Sequence, residues 1–225
     1  FSLKDNTTGH SNVALGYQAL ESNTTGISNI AIGRQTLENN VTGNNNVGFG
    51  NFTLDANTSG SHNTALGDQA MTDAQTGSQN VSVGHASLYE LTSGSNNTAL
   101  GTNALRNTNA SNNTAVGHSA LQQCSTGTSN VAVGRDAAKM LTSHNYNTAV
   151  GDEALENNTT SYNTALGWQA MQGASGATTG GNNTALGIVA LKNATSATAN
   201  TAVGIGAMRD ATTAAYNVAV GADCL

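Results

Sequence analysis

Large apolar side chains recur along this chain at a fixed interval. The recurring unit is an Asn, a β-branched residue, a small residue, a large apolar residue and a Gly, first met as Asn12-Val13-Ala14-Leu15-Gly16. Thirteen copies close at Gly16, Gly33, Gly50, Gly67, Gly84, Gly101, Gly117, Gly134, Gly151, Gly167, Gly187, Gly204 and Gly221. Most steps equal that from Gly16 to Gly33, about 17 residues, so the pattern reads as a repeat solenoid of the β-roll or β-solenoid kind, with 13 coils and one parallel β-ladder.

Each position of the unit carries its own expectation. The second is Val, Ile or Thr in every copy, which favours a strand, and the fourth is Leu, Ile, Val or Phe. Alternate residues of a strand share a face, so positions two and four are expected to line the core. The recurring threonines of position two, such as Thr64, Thr98 and Thr114, then point inward. Position three is Ala except at Gly48 and Ser82. It is expected on the opposite face, kept small either by a closely packed neighbouring chain or because Ala suits a tight coil. The Gly of position five suits a corner with φ > 0. The Asn of position one is expected to stack from coil to coil as an amide ladder. Its members are Asn12, Asn29, Asn46, Asn63, Asn80, Asn97, Asn113, Asn130, Asn147, Asn163, Asn183, Asn200 and Asn217.

A second, weaker pattern follows each Gly, as in Gln18-Ala19-Leu20 and Gln69-Ala70-Met71. The ninth position is Leu or Met in 12 copies, Ala138 being the exception. Its neighbours are Gln, Glu, Lys, Arg and Ala, which favour helix, so the second side of the coil is expected to be a single helical turn or a short strand. Polar loops such as Glu21 to Gly26 close the coil and absorb length changes, the largest between Gly173 and Gly181. Both ends fall mid-repeat. Residues 1–225 therefore read as one continuous array, a segment of a longer fibre or a subunit stacking end to end.

Composition removes several function classes. Charged residues are 9% of the chain and aromatics 4%, with no proline. Such a bias ordinarily means disorder, but the strict placement of the apolar residues argues for a fold. The net charge of −6 is scattered and offers no basic patch for nucleic acid. No apolar run is long enough to insert this segment in a membrane.

The residues at Asn12 to Gly26, Asn-Val-Ala-Leu-Gly-Tyr-Gln-Ala-Leu-Glu-Ser-Asn-Thr-Thr-Gly, resemble the head repeats of trimeric autotransporter adhesins. They are also similar to the Asn-x-Ala-Leu-Gly repeats of phage tail fibres and bacterial surface fibres. The resemblance spans the whole chain and implies a left-handed parallel β-roll that assembles as a homotrimer. The adhesin head repeats are typically shorter than the repeats of this chain.

Candidate chemistry is sparse. Histidines 10, 62, 85, 118 and 144 show no ligand spacing. His85 and His118 share position six but sit two coils apart, about 10 Å. Asp68 and Asp152 share that position five coils apart, and the aspartates a calcium β-roll needs in every coil are missing. Cys124 and Cys224 form no disulfide framework or metal motif. No Ser, His and Asp spacing suggests a triad, so neither catalysis nor a cofactor is expected. Asn-x-Ser/Thr sequons are frequent. Asn6, Asn23, Asn40 and Asn57 follow one another at the repeat interval and read either as a glycan-bearing edge or as a polar turn copied by duplication. Tyr17, Arg34, Trp168, Ile188 and Ile205, at position six, could form an exposed binding stripe.

The functional expectation is a non-catalytic, extracellular structural or adhesive fibre of a cell surface or virion. Its partners would be copies of itself, as a homotrimer or end to end, and a host-surface glycan or protein. The alternative is a surface-binding solenoid for carbohydrate or ice, which would require the position-two threonines to lie exposed on a flat face.

Overall fold

The computed structural model describes residues 1–173 and 180–225; the middle of the insertion expected between Gly173 and Gly181 lies outside the described residues. The protein is a parallel β-solenoid. Its chain divides into two compact units, Phe1–Asn112 and Asn113–Leu225. The first contains β1 (Val13–Leu15), β2 (Ile30–Ile32), β3 (Val47–Phe49), β4 (Thr64–Leu66), β5 (Val81–Val83) and β6 (Thr98–Leu100). The second contains β7 (Thr114–Val116), β8 (Val131–Val133), β9 (Thr148–Val150), β10 (Thr164–Leu166), β11 (Thr184–Leu186), β12 (Thr201–Val203) and β13 (Val218–Val220). Within each unit every strand pairs in parallel with the next, and equivalent repeat positions meet. Val13 faces Ile30, Ala14 faces Ala31 and Leu15 faces Ile32, and this register recurs from coil to coil.

The second side of the coil is neither a helical turn nor a strand. It is a run of tight turns: Ala19 N–H donates to the Gly16 carbonyl, Glu21 to Gln18 and Asn23 to Leu20. Gln18 and Leu20 both lie in the left-handed region, with φ of 57° and 51°, as the third residue of a type II turn must. The intervening groups point along the stack instead. Leu20 N–H donates to the Thr36 carbonyl at 3.1 Å and Ser22 N–H to the Glu38 carbonyl at 2.9 Å. This explains the failure of helix propensity. A helical turn would spend its N–H groups on itself, whereas alternating right- and left-handed residues free every second one for the next coil. The ladder thus continues around the turn side. Left-handed Leu costs roughly 1–2 kcal/mol per residue, and its burial offsets that cost.

The expected core was inverted. Positions two and four face outward, and the small residue of position three faces inward. Ala31, Ala65, Ala99 and Ala132 are fully buried, whereas Leu15 is 66% and Phe49 56% exposed. The position-two threonines likewise lie on the outer face. The reason is the thinness of the coil. Leu20, Leu37, Leu54 and Met71 enter the interior from the turn side and are completely buried. In most coils one large side chain from the turn side fills the space opposite the strand, and a second from the strand wall would overpack it. The neighbour that keeps position three small is therefore the turn wall of the same solenoid, such as Thr36 beside Gly48 and Ser87 beside Ser82, not another chain. In the one coil where Ala138 replaces the Leu or Met of the turn side, the buried large side chain is Leu141, at the place that Asn23 holds in its own coil. Position three shrinks to Gly48 where the turn wall carries Thr36, since a Cβ there would meet the Thr36 methyl group at 2.5 Å.

Candidate functional site

The inversion creates an exposed strand face on each unit. Two side chains point outward from each of 13 strands, 26 in all, and none is charged. In the first unit position two contributes Val13, Ile30, Val47, Thr64, Val81 and Thr98, beside Leu15, Ile32, Phe49, Leu66, Val83 and Leu100 at position four. In the second unit position two is mostly Thr. Thr148, Thr164, Thr184 and Thr201 occupy four consecutive rungs in register, next to Val150, Leu166, Leu186 and Val203. Tyr17, Trp168, Ile188 and Ile205 of position six are exposed as well. Uncharged, partly apolar surface repeated this regularly is what an interface presents.

Charge is concentrated on the turns. The Arg135 guanidinium bonds Asp136 at 2.7 Å, Asp152 at 2.9 Å and Glu153 at 2.6 Å, and Lys139 lies 3.0 Å from Asp136. Hydrogen bonds to Glu153 and Asp152 raise the Arg135 pKa. Those from Gln169 and then Arg135 lower that of Glu153. Each partner sits on its own or an adjacent coil, so the network ties coils together on a solvated face.

One asparagine column runs through each coil stack on the inside, and a second runs through part of the first unit. In the first, Asn29 Oδ1 accepts the backbone N–H of Asn46 at 3.0 Å, and Asn29 Nδ2 donates to the Gly43 carbonyl at 2.8 Å. The contact to the next backbone N–H repeats at Asn63, Asn80 and Asn97. In the second unit it runs from Asn113 through Asn130, Asn147, Asn163, Asn183 and Asn200 to Asn217. Asn12 and Asn217 are half-buried and the rest are buried.

The second column is the row of sequons. Asn23, Asn40 and Asn57 are completely buried. Each Nδ2 donates to Oδ1 of the preceding Asn, at 2.8, 2.8 and 2.7 Å, starting from Asn6. The Thr-Thr-Gly turn folds the amide inward, where Asn23 Nδ2 also reaches the Gly26 carbonyl. A glycan needs that nitrogen free and facing solvent, so the folded chain has no room for sugars on Asn23, Asn40 or Asn57, and the row holds coils together instead. Further along, Ala74, Leu91 and Cys124 take the equivalent buried place. Cys124 Sγ approaches the Gly127 carbonyl at 3.3 Å as the Asn amide does elsewhere, and burial pushes its pKa up to about 11, which leaves the thiol unreactive.

The other candidates remain apart. His85 lies 4.0 Å from Asp68 on the adjacent coil, with both side chains exposed. His118 and Asp152 belong to the other unit. His144 is partly buried and its pKa lowered by that burial. Among the described residues no group of three or more His, Cys, Asp or Glu could hold a metal ion, and no helix is long and apolar enough to cross a membrane.

The pKa of one carboxyl is pushed strongly upward. Burial, with the neighbouring Glu38 and then Asp73 adding to it, pushes Asp55 from 3.8 up to about 6. The folded state holds this proton more tightly than the unfolded chain, so the stabilisation is complete below pH 4 and is lost as pH rises towards 6. With solvent screening at its open side, the change is about 1 kcal/mol. Urea titrations at pH 4 and pH 7 should show that loss, and Asp55→Asn should remove it. An unchanged pH dependence in the variant would assign the effect elsewhere.

Compared with family models, curated proteins and solved structures, the chain matches none.

Proposed function

We propose that this chain is a non-catalytic structural stretch of an extracellular fibre or adhesin shaft, built from parallel copies of itself packed through the exposed strand face. The observation that carries this reading is the face itself: 26 outward side chains without one charge, backed by turns that hold the ion pairs. Apolar surface laid out at the coil spacing of about 4.8 Å is matched rung for rung by a second copy of the same solenoid. Backbone, turn and amide ladders all run along the stack, which suits a stiff spacer that presents a binding tip. The resemblance to adhesin heads and tail fibres supports a homotrimer and a cell-surface or virion location.

Sedimentation equilibrium tests the assembly. The wild-type chain should sediment as a homo-oligomer. Leu66→Glu combined with Leu100→Glu, which place charges on the outer face and leave the interior untouched, should sediment as a monomer with an unchanged circular dichroism spectrum. A monomeric wild type, or an oligomer indifferent to these charges, would sink the proposal.

The outward threonines favour a second reading, a surface-binding solenoid. Thr148, Thr164, Thr184 and Thr201 present hydroxyl and methyl groups on consecutive rungs. In that case the wild type is monomeric, and it pulls down with insoluble polysaccharide or alters ice growth through this face.

A further inference from the structure

Two tyrosines on consecutive coils of the second unit form the only stacked aromatic pair among the described residues. Tyr146 and Tyr162 both occupy the corner immediately before the ladder Asn. Their left-handed backbones, φ 58° and 64°, turn both side chains outward. Ser, Asn and other short residues hold this corner in most coils, and a bulky residue in such a conformation is unusual. The two tyrosines are separated by the same interval as the ladder residues Asn147 and Asn163, which are bonded to each other, so the corners fall in register. The rings stack with centroids 5.4 Å apart and planes inclined by 14°, and both residues are more than half exposed. The corners on either side carry Ser129 and Asn182, which leave the pair open to a small oxidant.

We propose that Tyr146 and Tyr162 are a site of oxidative carbon–carbon coupling that staples two consecutive coils of the fibre. The co-reactant is a peroxide acting through a peroxidase. Each phenol loses one electron and one proton, giving two phenoxyl radicals. Their ortho carbons join in a new C–C bond, and the two ring hydrogens displaced from carbon return to the phenol oxygens. One hydrogen peroxide accepts the two electrons and two protons and leaves as two waters. Two radicals generated on neighbouring coils need no diffusion to meet, and this sets the pair apart from the other three tyrosines. Tyr216 shares the same corner but lies three coils beyond Tyr162, about 14 Å by the coil spacing. Tyr17 and Tyr89 occupy other positions of the repeat.

The test is to treat the whole chain, as an equal mixture of 15N-labelled and unlabelled protein, with a plant haem peroxidase and hydrogen peroxide. Protease digestion and mass spectrometry then locate the products. The expected product joins the Tyr146 and Tyr162 peptides, weighs two hydrogens less than their sum, and occurs only as all-light or all-heavy species. The coupled chain should unfold at a higher guanidinium concentration than the untreated one. Tyr162→Phe keeps an aromatic ring at the corner but cannot form a phenoxyl radical, so it should abolish the product and the shift. Tyr216→Phe should change neither. Mixed-isotope Tyr–Tyr products, coupling spread equally over Tyr17, Tyr89 and Tyr216, or no coupling at all would overturn the proposal.

Discussion

Gly67→Ala should destabilise the first unit by about 4 kcal/mol. Gly67 has φ +136°, and a Cβ built on it would stand 2.7 Å from the carbonyl oxygen of Gly84 on the next coil. Two costs add here. An L-residue in that conformation loses roughly 1–3 kcal/mol. The clash is with backbone that is itself fixed by ladder bonds, such as Gly84 N–H to the Leu66 carbonyl at 2.8 Å, and overpacking of this kind costs about 1–3 kcal/mol more. Against a typical total of about 5–15 kcal/mol, the change removes much of the unit's margin. Gly221 separates the two costs. Its φ is +139°, but a Cβ there would meet only Cys224 Sγ at 3.9 Å. Gly221→Ala should therefore carry the conformational cost alone, about 2 kcal/mol. Guanidinium unfolding of both variants decides it. Equal losses would mean that the close approach between coils relaxes freely and that the Gly is retained for its dihedral angles only.

The second large effect concerns the first asparagine column. Asn46→Ala should cost about 3 kcal/mol. Its side chain accepts the backbone N–H of Asn63 at 3.0 Å and donates to the Gly60 carbonyl at 2.8 Å. Both are backbone groups closed off from water, and each orphaned buried group costs about 1–3 kcal/mol. Asn46→Asp should be worse, although it has nearly the same shape. A second oxygen in place of Nδ2 would face two acceptors, the Gly60 carbonyl and Asn29 Oδ1, and a buried charge would lack a partner. Asn217→Ala, at a half-buried place, should lose less than about 1 kcal/mol. Unfolding midpoints for the three variants test the order. A mild effect at Asn46 would show that water enters the coil interior and replaces the amide.

These expectations rest on how the interior is filled, and the same point separates what was legible in the sequence from what was not. The repeat, its length and the parallel in-register ladder follow from spacing alone, because a position that recurs at a fixed interval, as at Ala31, Gly48 and Ala65, must meet its equivalents if the coils stack. The first asparagine column is legible for the same reason. Which face is inside was not. A strand with large residues at positions two and four and Ala between them reads by ordinary hydrophobic patterning as large-side-in. That rule presumes a core wide enough for side chains from both walls.

The second asparagine column was hidden differently. Asn23-Thr24-Thr25 has the form of a glycan acceptor, and its local chemistry suits an exposed polar turn equally well. Only the path of the chain turns the Asn23 amide inward, where Asn6 Oδ1 and the Gly26 carbonyl receive it. The winding of the turn side was not legible because left-handed leucines have no sequence signature. Leu20 favours helix in isolation, and it adopts φ 51° because the next coil requires its N–H.

By itself, then, the sequence determined the period, the strand positions, the pairing register and the glycine corners, all properties set by residue type at a fixed interval. The tertiary structure alone decided which side of each strand is buried, where the asparagine amides point and how the turns are wound. Those depend on the width of the coil, a dimension that emerges only when both walls close on the buried side chains of the turn wall and that leaves the larger strand residues on the outside.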